Sequence, residues 1–144
     1  MRESNTGAHP LDLEDYDWRK AFELAGREVP AQDDDWRSGI DNLPHLQACA
    51  PGIDVDTSEF TRRDVAQVET FANGENDEAD WLCFGQLKDG RWFMLRAGCD
   101  YTGWDCQSGG LVDLAPDRET LLRYGVTPEE RKRLWGESVV IKGY

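Results

Sequence analysis

Between Ala97 and Gly110 the chain reads AGCDYTGWDCQSGG, and the residues with usable chemistry are densest here. Asp100 and Asp105 flank Tyr101 and Trp104, a pattern that resembles sugar-hydrolysing sites, in which two carboxylates share the acid and base roles. In a chain with 29 acidic residues such pairs also arise by chance, so a small hydrolase using these carboxylates is the weaker expectation. Recognition suits the stretch better. Trp and Tyr on a loop supply large contact area at low entropic cost, and Asp100, Tyr101, Trp104, Asp105 and Gln107 are the candidate binding residues. A purely architectural role is compatible with this: Gly98, Gly103, Gly109 and Gly110 permit turns, the two rings cap the sheet end, and the aspartates bond backbone amides.

The four cysteines, Cys49, Cys83, Cys99 and Cys106, are spaced C-x33-C-x15-C-x6-C, without the close pair that structural zinc takes. His9 and His45 lie in separate segments without pattern. A nucleophilic cysteine needs a base and a positive setting, whereas Cys106 adjoins Asp105. The thiols read as small apolar residues kept reduced, and a Cys99–Cys106 disulfide is disfavoured in the expected reducing compartment. P-loop, dinucleotide, metalloprotease and nucleophile-elbow motifs are missing from the sequence. No catalytic residue, metal or cofactor is assigned, and the balance is against an enzyme.

The elements that must carry this stretch begin with a hairpin over residues 81–98. Two apolar runs flank Asp89-Gly90, which suits a two-residue type I′ turn. That turn sets Leu87 opposite Trp92, Phe84 opposite Leu95 and Leu82 opposite Ala97. One face then carries Leu82, Phe84, Gln86, Phe93, Leu95 and Ala97 as the core. The other carries Trp81, Cys83, Gly85, Leu87, Trp92, Met94 and Arg96, apolar enough to require cover, so both strands are central. From Cys99 to Gly110 no strand pattern is visible, and Leu111 to Leu114 reads as a short fourth strand.

Upstream, residues 1–10 carry no periodicity and read as a mobile lead. Leu11 to Gly26 reads as a helix that docks by Trp18 and Phe22. Residues 27–57, with Pro30, Pro44, Pro51 and the run Asp33-Asp34-Asp35, read as irregular and acidic, anchored by Trp36 and Ile40, with a turn of helix near Leu43 to Cys49. Residues 58–72 fit helix or strand, and the Asn73-Gly74 that follows favours a strand joining the hairpin. Asp117 caps a helix to about Tyr124, and the capping box Thr127-Pro128-Glu129-Glu130 opens another to about Trp135. Ser138 to Ile141 is a candidate last strand. The expectation is one α+β domain over 1–144: an antiparallel sheet of three to five strands, packed with an N-terminal helix and two short C-terminal helices in 58–142.

Net charge is −13, with 14 acidic and 5 basic residues in 1–60 against 15 and 11 in 61–144. Such a field repels phosphate backbones and membrane surfaces, so direct nucleic-acid or membrane binding is not expected, while a protein partner is. No run approaches membrane-spanning length and the first residues lack a secretory core, which points to the cytoplasm.

The segment DGRWFMLRAGCDYTGWDCQSGG, followed by RETLLRYGV and TPEERKRLW, resembles a group of small proteins of actinobacteria and their phages. In that group an AGCDYTGWDCQ-like run follows a DGR hairpin. The likeness covers roughly residues 64–136. No activity attaches to the group, so the resemblance implies a phage-type accessory protein acting in the host cytoplasm and no catalytic residue. The expectation is a non-enzymatic protein that binds a host or phage protein through the loop 99–110. The alternative is an acidic mimic of nucleic acid that inhibits a DNA- or RNA-binding or defence protein.

Overall fold

A computed structural model describes residues 16–25, 45–75, 78–100 and 107–136, with backbone alone for 99, 100, 107 and 108. The elements are α1 (Trp18–Leu24), β1 (His45–Ala48), β2 (Val65–Ala72), β3 (Trp81–Leu87), β4 (Trp92–Asp100), β5 (Gln107–Ala115), α2 (Arg118–Gly125) and α3 (Pro128–Trp135). They form the expected α+β architecture. The sheet has five strands in the order β1-β5-β4-β3-β2. Four of them run as antiparallel neighbours, and β1 adds in parallel beside β5, so the sheet is mixed.

Both faces of the central strands are buried. On one, α1 lays Trp18, Ala21 and Phe22 against Trp81, Cys83, Leu87, Phe93, Leu95, Val112 and Leu114. On the other, α2 and α3 lay Leu121, Leu122 and Leu134 against Leu82, Phe84, Met94 and Ala115. The result is three layers. Phe22, Phe84 and Phe93 are fully buried, and each such ring removed from water stabilises the fold by about 2–3 kcal/mol.

Local chemistry places the helices as their caps indicate. The Asp17 side chain accepts from Lys20 N–H at the start of α1, Asp117 accepts from Thr120 N–H at α2, and Thr127 with Glu130 forms the capping box of α3. Trp18 and Phe22 dock α1 as their spacing indicates. The start of that helix at 11–15 and its stop at Gly26 lie outside the described residues, as do Trp36, Ile40 and the strand proposed at 138–141. Residues 65–72 are the expected strand, preceded by a turn of 3-10 helix at Arg62–Asp64. Asn73 then clasps both helical layers: its Oδ1 accepts from Asp17 N–H at 2.8 Å and its carbonyl from Arg133 at 3.2 Å.

Three expectations are corrected. Residues 45–48 are strand, not a turn of helix: β1 pairs His45 with Leu111 through Ala48 with Leu114, and ladder bonds to β5 outweigh local preference. The segment after Cys99 is not patternless, because β4 continues to Asp100 and β5 begins at Gln107, on backbone pairing that glycines permit without a side-chain pattern.

The hairpin register is also one residue off the expected one. Phe84 pairs with Met94, Cys83 with Leu95 and Trp81 with Ala97. The loop has three residues, Lys88 to Gly90: Leu87 N–H donates to Arg91 O at 2.7 Å, and Gly90 adopts φ of 102°. Arg91 lies between the turn and β4, opposite Leu87. Its Nε donates to Asp89 at 2.9 Å, and its Nη1 donates to the Asp56 and Ser58 carbonyls at 2.8 and 2.9 Å. The expected faces are therefore mixed: Trp81, Cys83 and Leu87 share a face with Phe93, Leu95 and Ala97.

The positive φ at Gly90 makes the turn conformation testable. Gly90→Ala meets no neighbour but must adopt a backbone that L residues disfavour, and is expected to lower the unfolding free energy by about 1–2 kcal/mol in urea titration. An unchanged midpoint would show that residue 90 does not hold a positive φ.

Candidate functional site

β4 and β5 are the vehicle of the AGCDYTGWDCQSGG stretch. Each is nine residues long, and they pair from Trp92 with Ala115 up to Cys99 with Ser108 and Asp100 with Gln107. Residues 101–106 thus join the ends of two strands inside the sheet. Of the candidate binding residues, Asp100 and Gln107 are brought together as the last pair of the ladder by their backbones. Tyr101, Trp104 and Asp105 lie outside the described residues, as does Cys106.

Glycine lets the legs of this hairpin fit their surroundings. Gly98 pairs with Gly109 and Ala97 with Gly110. A Cβ at Gly110 would overlap the Ala25 backbone, so α1 presses its C-terminal end directly onto β5. A Cβ at Gly98 would overlap the Asp80 carboxylate.

Beneath the glycines sits a buried ionic network that sequence reasoning did not find. Arg96 on β4 donates from Nε and Nη2 to both oxygens of Glu130, at 2.6 and 2.8 Å. Its Nη1 donates to Asp113 on β5 at 2.7 Å, and Nη2 also donates to the Gly125 carbonyl at 2.8 Å. Gln47 on β1 donates to the other Asp113 oxygen at 2.7 Å. Glu130 still closes the capping box, accepting from Thr127 N–H at 3.0 Å. One guanidinium ties two central strands to the junction of α2 and α3, while Asp113 extends the network to β1. The available signal was a single charge inside each of two apolar runs, Arg96 in FMLRAG and Asp113 in LVDLA, of opposite sign.

Burial alone would raise the Glu130 carboxyl, but the Arg96 hydrogen bonds and the Thr127 amide outweigh it and hold the group below its ordinary range. Burial likewise works against the Arg96 charge, and its two carboxylate partners more than restore it. The thiols are the reverse case. Burial, with Asp113 adding, pushes half-buried Cys49 up to about 11, and Cys83, fully buried under α1 against Tyr16, is pushed up further by desolvation. Neither is a nucleophile at neutral pH. Among the described residues no group of His, Cys, Asp and Glu gathers to hold a metal ion, and no helix is long and apolar enough to cross a membrane.

No protein-family model, curated protein or solved structure matches the chain at a significant level. The site therefore rests on its own geometry.

Because the folded Glu130 pKa is depressed, its contribution to stability is complete above the ordinary carboxylate range near 4.5 and is lost as pH falls through the folded value. Urea midpoints measured from pH 6 downward are expected to fall more steeply for the wild type than for Glu130→Gln. Arg96→Met, which strands both carboxylates, is expected to cost about 3–5 kcal/mol at neutral pH.

Proposed function

We propose that this is a small non-enzymatic accessory protein of phage type, which binds a host or phage protein through the segment 99–110 and works in the host cytoplasm. The observation that supports it is the β4–β5 ladder: two nine-residue strands inside the sheet end as the pair Asp100 and Gln107, so the stretch with Tyr101 and Trp104 starts from a fixed base. Anchoring of that kind lowers the entropic cost of presenting aromatic rings to a partner. The chemistry beneath the segment also suits a scaffold. Arg96, Asp113 and Glu130 spend their charges on one another, and the thiols of Cys49 and Cys83 stay protonated. The resemblance over residues 64–136 supports the phage-type origin.

The test is affinity capture from an actinobacterial lysate with wild-type and Trp104→Ala baits, eluted in rising salt. The variant is expected to keep its far-UV circular dichroism and thermal midpoint while losing the captured protein. A Trp104→Ala protein that unfolds would make the ring a structural cap. A nucleic-acid-binding partner retained by the variant and eluting early in salt would favour the acidic mimic.

A further inference from the structure

The Asn73-Gly74 pair just past the end of β2 carries chemistry of its own. Of the four asparagines, Asn5, Asn42, Asn73 and Asn76, only Asn73 precedes a glycine. The backbone nitrogen that follows an asparagine is a nucleophile within reach of the side-chain carboxamide carbon. Glycine has no Cβ to obstruct that approach, so here the attack is least hindered.

The step balances without an enzyme, oxidant or cofactor. A bond forms between Gly74 N and Asn73 Cγ while the Cγ–Nδ2 bond breaks, and the Gly74 amide proton ends on the departing ammonia. The cyclic imide that remains is opened by water at either of its carbonyls. One product is aspartate; the other is isoaspartate, in which the main chain runs through Cβ and Cγ. Both carry a new negative charge.

The fold requires both residues and restrains both. A Cβ at Gly74 would overlap the Ala79 carbonyl oxygen and the Trp81 nitrogen, so no other residue fits without moving the chain there, and the Gly74 peptide has little room to swing. The loop behind it is bonded as well, with Glu75 N–H donating to the Ala79 carbonyl at 2.9 Å. The Asn73 carboxamide is held by α1: its Oδ1 accepts the Asp17 N–H at 2.8 Å. Asn73 is exposed, so water for the second step is at hand. Ring closure must turn the carboxamide about its side-chain torsions and the peptide about ψ, and the bond to Asp17 opposes the first of these rotations.

We propose that Asn73 is a site of spontaneous deamidation whose rate is set by how often the start of α1 opens. Chemistry that proceeds from a locally open state scales with the population of that state. The isoaspartate product lengthens the backbone by one carbon and displaces the carbonyl to which Arg133 donates, so aged protein differs from new protein where β2 meets both helical layers.

The experiment incubates the full chain at mildly alkaline pH beside a synthetic peptide of residues 68–80, and follows both by peptide mass mapping with fragmentation. The small mass gain of an amide turned into an acid is expected at Asn73 and not at Asn76. It also separates the reaction from isomerisation at Asp89-Gly90, which changes no mass. The peptide, which lacks α1, is expected to react about tenfold faster or more. Asp17→Ala removes the cap of α1 while keeping the N–H donor, and is expected to speed the reaction about fivefold, whereas Asp117→Ala, the same change at α2, leaves it unaltered. No product at Asn73 in wild type or Asp17→Ala long after the peptide has reacted would overturn the site. A folded chain as fast as the peptide, or an Asp17→Ala rate equal to that of the wild type, would overturn the gate.

Discussion

Arg96 is the constraint around which this molecule is arranged. A guanidinium on a central strand, under a helical layer, can remain charged only if its hydrogen bonds are met within the protein, and here they are met by Glu130, Asp113 and the Gly125 carbonyl. Each partner comes from a different element, so the network fixes where α2 ends, where α3 begins and how both sit over β4 and β5. The same Glu130 side chain caps its own helix, which ties a local folding signal to a tertiary one. Removing one member of such a network leaves the others buried and unpaired, which is why its loss is costly.

A sheet buried on both faces has a second property: its apolar pattern no longer sets its register. With one wet face, a slip of one residue would carry Phe84 or Leu95 into water, and the error would be visible in the sequence. With two dry faces the slip exchanges one apolar residue for another. The decision passes to the turn, where Gly90 takes its positive φ and Arg91 is held in place by the Asp56 and Ser58 carbonyls. This explains why the hairpin was legible in the sequence and its pairing was not.

Legibility elsewhere followed the range of the interactions. The caps at Asp117 and Thr127 act within four residues, and both C-terminal helices were readable from them; Trp18 and Phe22 likewise gave the docking face of α1. β1 owes its strand state to β5, more than sixty residues away, and nothing in HLQA signals that partner. The extension of β4 and β5 toward the candidate site was hidden by Gly98, Gly109 and Gly110, which read as loop residues but here admit the close approach of Asp80 and Ala25. Of the candidate site, the sequence located the stretch and its aromatic character.

The clasp at Asn73 carries a consequence for how the molecule moves. Its side chain holds the N-cap of α1 on one face of the sheet, and its carbonyl holds Arg133 of α3 on the other. Among the described residues, Asn73, just past the end of β2, thus bonds to both helical layers. A breathing motion that lifts α1 thereby frees the side chain of the residue whose carbonyl tethers α3, which makes Asn73 the point through which opening of one layer can reach the other.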